Sequence, residues 1–372
     1  MGEGRGARRL HGRSRHHGDG RGAGHGRRLV TASGADWAEL GCHPVAEGVH
    51  RIPLPMPQDG LRAINVYVVE GPHGVSLIDA GWNVSGNLEI LRGGLNSVDI
   101  GLDEVTDVHV THIHRDHYTM GPELRRRVGS RIHLGGGERP GLTELLELRT
   151  SVPTDSLDQL RRAGAAEIAE ASRVEALAEP WVAEDWELPD TWTEDGPVSV
   201  AGRPMQARRT AGHTKGHLVF DDAALGVTFT GDHVLPRISP SIGFELGGWD
   251  NPLGDYLASL EAMLDRPDTL MLPAHGPVGG SVHGRVRELL SHHDSRLDAT
   301  RAQVAARQGA TGLEVAAGLP WTRRERAFSS LDVFNKMIAT CETMAHLDVL
   351  VAWGDLVVDE VSPAGVQRFV TA

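Results

Sequence analysis

The sequence predicts an α/β fold: an αββα sandwich, two β-sheets packed together with helices outside, followed by a small C-terminal winged-helix-like domain. Three observations predict it. Two runs of short apolar strands, one from Val49 and one from about residue 196, are each followed by helical sequence. Histidines and aspartates gather where those strands break. The last sixty or so residues read as two helices and a hairpin. Strands and helices that are apolar on one face must bury it against another layer, and stacked layers satisfy that demand.

A chain of 372 residues exceeds what a single core usually organises. The expected division is a Gly/Arg/His-rich disordered tail over 1–36, a main body over 37–308 and the winged-helix-like domain over 309–372. The tail has almost nothing apolar to bury and reads as a solvated extension, with Val30 a conceivable alternative start. Residues 1–28 hold eight Arg against Glu3 and Asp19, so of a formal net charge of −13 the rest of the chain carries −19. A body so acidic repels phosphate backbones and argues against nucleic acid as the main partner. The two cysteines, Cys42 and Cys341, form no C-x-x-C pair, which suits a reducing, cytoplasmic setting. No apolar run reaches membrane-spanning length, and the N-terminus lacks the apolar middle of a signal peptide, so no membrane partner is expected.

The elements follow in order. INVYVVE (64–70), the turn GPHG (71–74) and VSLIDAG (75–81) read as a hairpin, because β-branched runs flank a Gly/Pro turn. VTDVHVT (105–111) is a strand, and Gly121-Pro122 opens a helix. Residues 139–185 are helical and rich in Leu, Ala, Glu and Arg. Strands return at GPVSVAG, MQARRTAG, LVF and GVTFTGD, and a long helix spans about 282–308. The C-terminal stretch from 310 has helices ATGLEVAAGL and SSLDVFNKMIATCETMAHLDVLVAW and a strand LVVDEV. It holds five basic residues against eight acidic ones, so a structural or dimer-forming role fits it better than reading DNA.

Between the strand at 105–111 and the helix after it lies THIHRDH, with His112, His114, Asp116 and His117 within six positions. Given 20 His in the chain, residue frequencies allow roughly 0.004 chance occurrences of H-x-H-x-D-H. A hydrolytic zinc site needs about three protein ligands per ion and an open position. Three further candidates stand at strand ends: His213 in TAGHTKGH, Asp232 in VTFTGDH and His275 in MLPAHGP.

The series LIDAG, THIHRDH, AGHTKGH, TGDH and PAHGP resembles the metallo-beta-lactamase superfamily of dinuclear metal hydrolases, over roughly residues 45 to 290. GDHVLPRISPSIG and the C-terminal tail further resemble the subgroup that includes lactamase-like hydrolases and a mitochondrial endoribonuclease. The resemblance implies that His112, His114 and His213 hold a first zinc, that Asp116, His117 and His275 hold a second, and that Asp232 bridges both. Asp79 would orient a ligand imidazole. Asp116 and Asp232 would be the catalytic carboxylates, Asp116 guiding the nucleophile or its proton. Two Zn²⁺ ions, with Fe or Mn tolerated by the same donors, would stabilise a bridging hydroxide near neutral pH. Arg115, Tyr118, Lys215, Arg237 and Ser239 flank these motifs as candidate pocket residues, while His109, His217 and His233 neighbour the ligands.

Asp232 and the missing export signal set the chain apart from the antibiotic-cleaving enzymes it resembles. His117 with His275 argues for two metals, against the single iron of a persulfide dioxygenase. The expected reaction is hydrolysis of an ester or thioester of a small-molecule acyl substrate, as in hydroxyacylglutathione hydrolases and acyl thioesterases, with the 139–185 helices able to form a lid. Lactone hydrolysis and phosphodiester or RNA cleavage are the alternatives. A regulatory nucleic-acid-binding protein acting through the winged helix is the non-enzyme alternative. A homodimer is left open.

Overall fold

The computed structural model describes residues 36–56, 60–150, 152–179, 181–243, 248–322 and 325–372. The expected tail lies outside these residues, apart from Asp36.

The first sheet contains seven strands in chain order: β1 (His43–Ala46), β2 (Val49–Pro55), β3 (Ala63–Gly71), β4 (Gly74–Ile78), β5 (Val105–His109), β6 (Arg131–Gly135) and β7 (Thr191–Thr193). β1 to β4 pair antiparallel, whereas β4 to β7 run parallel. Parallel neighbours require a crossover, usually helical. These are α1 (Asn87–Asn96) before β5, α2 (Arg115–Tyr118) and α3 (Met120–Val128) before β6, then α4 (Arg139–Leu148), α5 (Thr154–Arg162) and α6 (Ala166–Ala178) before β7. The parallel run places the C-terminal ends of β4, β5 and β6 on one edge, the side where open α/β sheets bind ligands.

The second sheet is built from β8 (Gly196–Val200), β9 (Arg203–Arg209), β10 (Leu218–Asp222), β11 (Val227–Gly231) and β12 (Leu270–Pro273), in the order β12-β11-β10-β9-β8. β11 and β12 are parallel, linked through α7 (Pro252–Leu264), and α8 (Val282–Ala306) follows. Asn251 caps α7 by accepting from Gly254 N–H, and Ser281 does the same for α8 through Gly284 N–H.

Three apolar clusters separate the layers. Ile52, Leu77, Val108 and Ile132 pack under Leu91, Leu95 and Leu124 of α1 and α3. Val49, Tyr67, Phe220 and Phe229 fill the space between the sheets. Fully buried aromatics of this kind contribute about 2 to 3 kcal/mol each. The third cluster lies outside the second sheet and joins α5, α7 and α8 to the C-terminal residues. Those residues form β13 (Ala310–Thr311), α9 (Gly312–Gly318), α10 (Val333–Ala352), β14 (Leu356–Val361) and β15 (Gln367–Thr371), with strand order β13-β15-β14. Among the described residues no helix is long and apolar enough to cross a membrane.

Candidate metal centre

All seven side chains expected at the metal site meet at the strand-end edge of the sandwich. His112, His114, Asp116 and His117 follow β5, with α2 turning Asp116 and His117 inward; His213 lies between β9 and β10, Asp232 directly after β11, and His275 two residues after β12. Their donor atoms form three groups, each within 4.8 Å: His112, His114 and His213; His112, His117 and Asp232; Asp116, His117 and His275. His213 Nε2 lies 3.0 Å from His114 Nδ1 and 3.5 Å from Asp232 Oδ2. On the other side, His275 Nε2 is 3.2 Å from Asp116 Oδ2 and 3.3 Å from Asp232 Oδ1, and His117 Nε2 is 3.3 Å from Asp116 Oδ2. Asp232 thus faces both groups.

Four of the five rings, those of His112, His117, His213 and His275, are aimed by the other nitrogen. His213 Nδ1 donates to Ser241 O at 2.8 Å and His275 Nδ1 to Ala63 O at 2.8 Å. A carbonyl only accepts, so these contacts place the proton on Nδ1 and turn the Nε2 lone pair inward. His117 Nδ1 is 3.0 Å from Asp79 Oδ2, and His112 Nδ1 is 3.1 Å from Thr111 Oγ1. Asp79 is buried and also accepts from Thr111 N–H at 2.8 Å. Its φ of 63° lies in the left-handed region, which aspartate adopts more readily than most residues. Gly231 precedes Asp232 at φ 50°, where an added Cβ would lie 2.6 Å from His217 Nε2. That same His217 nitrogen accepts the Asp232 N–H at 3.1 Å and fixes the carboxylate's starting point.

The donor set fits a cation. Buried polar atoms are normally hydrogen-bonded, yet His112 Nε2, His117 Nε2, His275 Nε2 and Asp232 Oδ1 are buried with no hydrogen-bond partner, and all four point into the cage. Burial and the neighbouring imidazoles hold His112 and His114 well below the usual histidine range. Burial alone would lower His117 and His275 too, but Asp116 and Asp232 outweigh it and raise His275 to about 8. A divalent cation held by these residues would take the place of those protons, since metal binding requires neutral imidazole and ionised carboxylate.

The expected pocket residues divide. Arg115 is exposed at the rim, its guanidinium 4.2 Å from the Trp82 ring centroid and paired with Glu179 at 2.9 Å. Lys215 and Ser239 are half-buried and Arg237 is exposed. Tyr118 instead belongs to the core: it is fully buried, stacks on Trp186, and donates its hydroxyl to Glu187 O at 2.5 Å. Of the neighbouring histidines, His109 stacks on His133, and His233 meets Tyr256 edge to face. Sequence reasoning missed Thr111, the carbonyls of Ser241 and Ala63, and Glu138, which lies beneath the first two ligand loops. Of these only Thr111 carried a signal, as the residue preceding His112.

A sandwich with a histidine and aspartate cage at its strand ends defines a metal-dependent hydrolase. The model of the metallo-beta-lactamase superfamily matches residues 59–286, and the chain belongs to that superfamily. A beta-lactamase domain protein from Burkholderia ambifaria is similar over 92% of this chain and 98% of its own, with 26% identity and a TM-score of 0.71. A metallo-beta-lactamase family protein from Thermus thermophilus is similar over 87% and 99%, with 25% identity and a TM-score of 0.69. Among curated proteins, the lactamase-like protein nscB of Neosartorya fischeri is 34% identical over 105 residues, 28% of this chain. The chain spans only 30% of that relative's length.

Proposed function

We propose that the chain is a dinuclear, zinc-dependent hydrolase of a small ester or thioester. His112, His114 and His213 would hold one ion, Asp116, His117 and His275 the other, and Asp232 would join them. The observation that carries this reading is the pair of donor groups on either side of Asp232, with the buried Nε2 atoms of His112, His117 and His275 lacking a hydrogen-bond partner. Nitrogen-rich ligation favours zinc, although iron and manganese accept the same donors. When bound, the ions would polarise the scissile carbonyl and bring the pKa of water near neutrality.

The chain's own groups would do the rest. Asp116 would take the proton from the attacking water and pass it toward the leaving group. Asp79 and the carbonyls of Ser241 and Ala63 would hold the imidazoles so that little reorganisation accompanies the reaction. Arg115, Lys215, Arg237 and Ser239 would line the approach. Leu148, Val174 and Leu177 of α4 and α6 are exposed apolar side chains, and Glu179, just past α6, pairs with Arg115 at the rim. This placement supports the helical insert as a lid over an apolar acyl group. Residues 37–308 would form the catalytic body and 309–372 a winged-helix-like part with a structural or dimer-forming role.

The test is a panel of thioester, ester, lactone, beta-lactam, phosphodiester and RNA substrates, run with zinc and with manganese, beside metal analysis of the purified protein. Near two metals per chain with turnover of thioesters or esters is expected. Turnover of RNA alone, or tight sequence-specific DNA binding without turnover, would overturn the reading.

A further inference from the structure

Glu138 ends the short helical turn Gly136–Glu138 between β6 and α4, and it is completely buried. Burying a carboxyl is costly unless something holds it. Its Oε1 accepts from the hydroxyl of Thr214, and the peptide N–H groups of Ile113 and Gly216 face it. Its Oε2 is buried with no hydrogen-bond partner. Burial pushes the carboxyl up to about 7, against the pull of those donors and of Lys215.

The identity of the held residues gives the arrangement its meaning. Ile113 lies between His112 and His114, and Thr214 follows His213. One side chain therefore grips both loops that present the three-histidine group, and none of its partners lies in the Asp116, His117 and His275 group. The backbones are shaped for this reach. A Cβ added at Gly135 would lie 2.1 Å from Gly216 O, one at Gly137 2.8 Å from Gly216 Cα, and one at Gly216 2.2 Å from Glu138 N. GGGE and the Lys215-Gly216 turn thus meet backbone against backbone, which only glycine allows, and Glu138 spans the junction.

We infer that Glu138 is a positioning residue for one of the two metal subsites: by tying Ile113 to Thr214 it sets the spacing of His112, His114 and His213 and hence the retention of the ion they hold. This rests on the ligand assignment proposed above. Removing a group that holds a ligand in place typically weakens metal binding by about 10- to 100-fold. Glu138→Gln keeps the shape but removes the charge and turns an amide NH₂ toward N–H donors.

The experiment is extraction of zinc from the purified holoenzyme by a chromophoric chelator, which resolves two classes of ion by affinity. In Glu138→Gln one class is expected to weaken by about 10- to 100-fold while the other stays unchanged, with kcat falling more than KM shifts. Thr214→Val, which removes only the hydroxyl, is expected to weaken the same class by a smaller factor and supplies the readout should Glu138→Gln fold poorly. Equal weakening of both classes, or of neither, would overturn the inference. His213→Ala in the same assay separates the two claims: if it leaves both classes intact, the ligand assignment itself has failed. If it abolishes one class that Glu138→Gln leaves untouched, only the role of Glu138 has.

Discussion

Two clusters of buried imidazole stand out among the described residues, and they differ in what their nitrogens face. At the strand ends, His112, His117 and His275 point Nε2 atoms without hydrogen-bond partners at one another and at the carboxylates of Asp116 and Asp232. Between α8 and α10, His293 and His346 are equally buried, and His293 Nε2 also has no hydrogen-bond partner, but Nδ1 of His293 donates to Nε2 of His346 at 3.3 Å. His346 Nδ1 in turn donates to Glu342 O, one turn earlier in α10, at 2.7 Å. Among the described residues the groups able to hold a metal ion all belong to the first cluster. Density of histidine is therefore not the mark of a metal site. Converging lone pairs interleaved with carboxylates are, and the outer carbonyls that fix the tautomer create that convergence.

The most severe way to break this contrast is to remove the carboxylate both donor groups share. Asp232→Ala is expected to lower turnover by more than about 100-fold and to cost the protein much of one metal, read by elemental analysis of the purified variant. Unchanged metal content would mean that Asp232 does not join the two groups. A milder change keeps every ligand and disturbs only the aim of one. Asn tolerates the left-handed φ at position 79, so Asp79→Asn should fold normally while turning an amide toward His117 Nδ1. Metal affinity is expected to fall by about 10- to 100-fold, measured by competition with a chelator, and wild-type affinity would show that His117 needs no outer partner.

What could be read from the sequence divides along the same line. THIHRDH was legible because its four side chains lie within one loop and helical turn, so no knowledge of distant packing was required. His213, Asp232 and His275 were legible as polar residues at the points where strands break, since strands running the same way deliver their ends to a common edge. The strand runs themselves became β3, β4, β5 and β8 to β11 at nearly the expected limits. The carbonyls of Ser241 and Ala63 were invisible, because every residue has one and only the folded chain decides which faces an imidazole. Tyr118 was misread for a related reason. Its burial depends on Trp186 and on a hydroxyl bond to a carbonyl 69 residues away, whereas its neighbour Arg115, on the same short helix, stays at the rim. Glu138 was missed because its partners come from two separate loops, and no local pattern announces a carboxyl that bridges them.

The smallest effect sharpens the contrast from the other side. If the His293–His346 pair is structural, its imprint should be on acid stability and not on turnover. Burial lowers His346 to about 4 from 6.5, helped by Arg296 and His292 and opposed by the bond to Glu342 O. Between these values the unfolded chain binds the proton and the folded one does not, so stability declines as pH falls from about 6.5 toward 4. A tenfold rise in proton concentration then weighs about 1.4 kcal/mol, which makes the loss by pH 5.5 about 1 kcal/mol. His346→Gln lacks this proton. It is expected to be less stable than wild type at pH 7.5 by about 1 kcal/mol, with the gap closing by a similar amount at pH 5.5 in urea denaturation. Acid also releases metal from the strand-end cage, but it does so in both proteins, so the difference between them isolates the helix pair. Turnover at pH 7.5 should stay within about twofold. A gap that does not change with pH would mean that His346 takes up its proton as readily in the fold as in the unfolded chain, whereas loss of turnover would mean that the second cluster is coupled to the first.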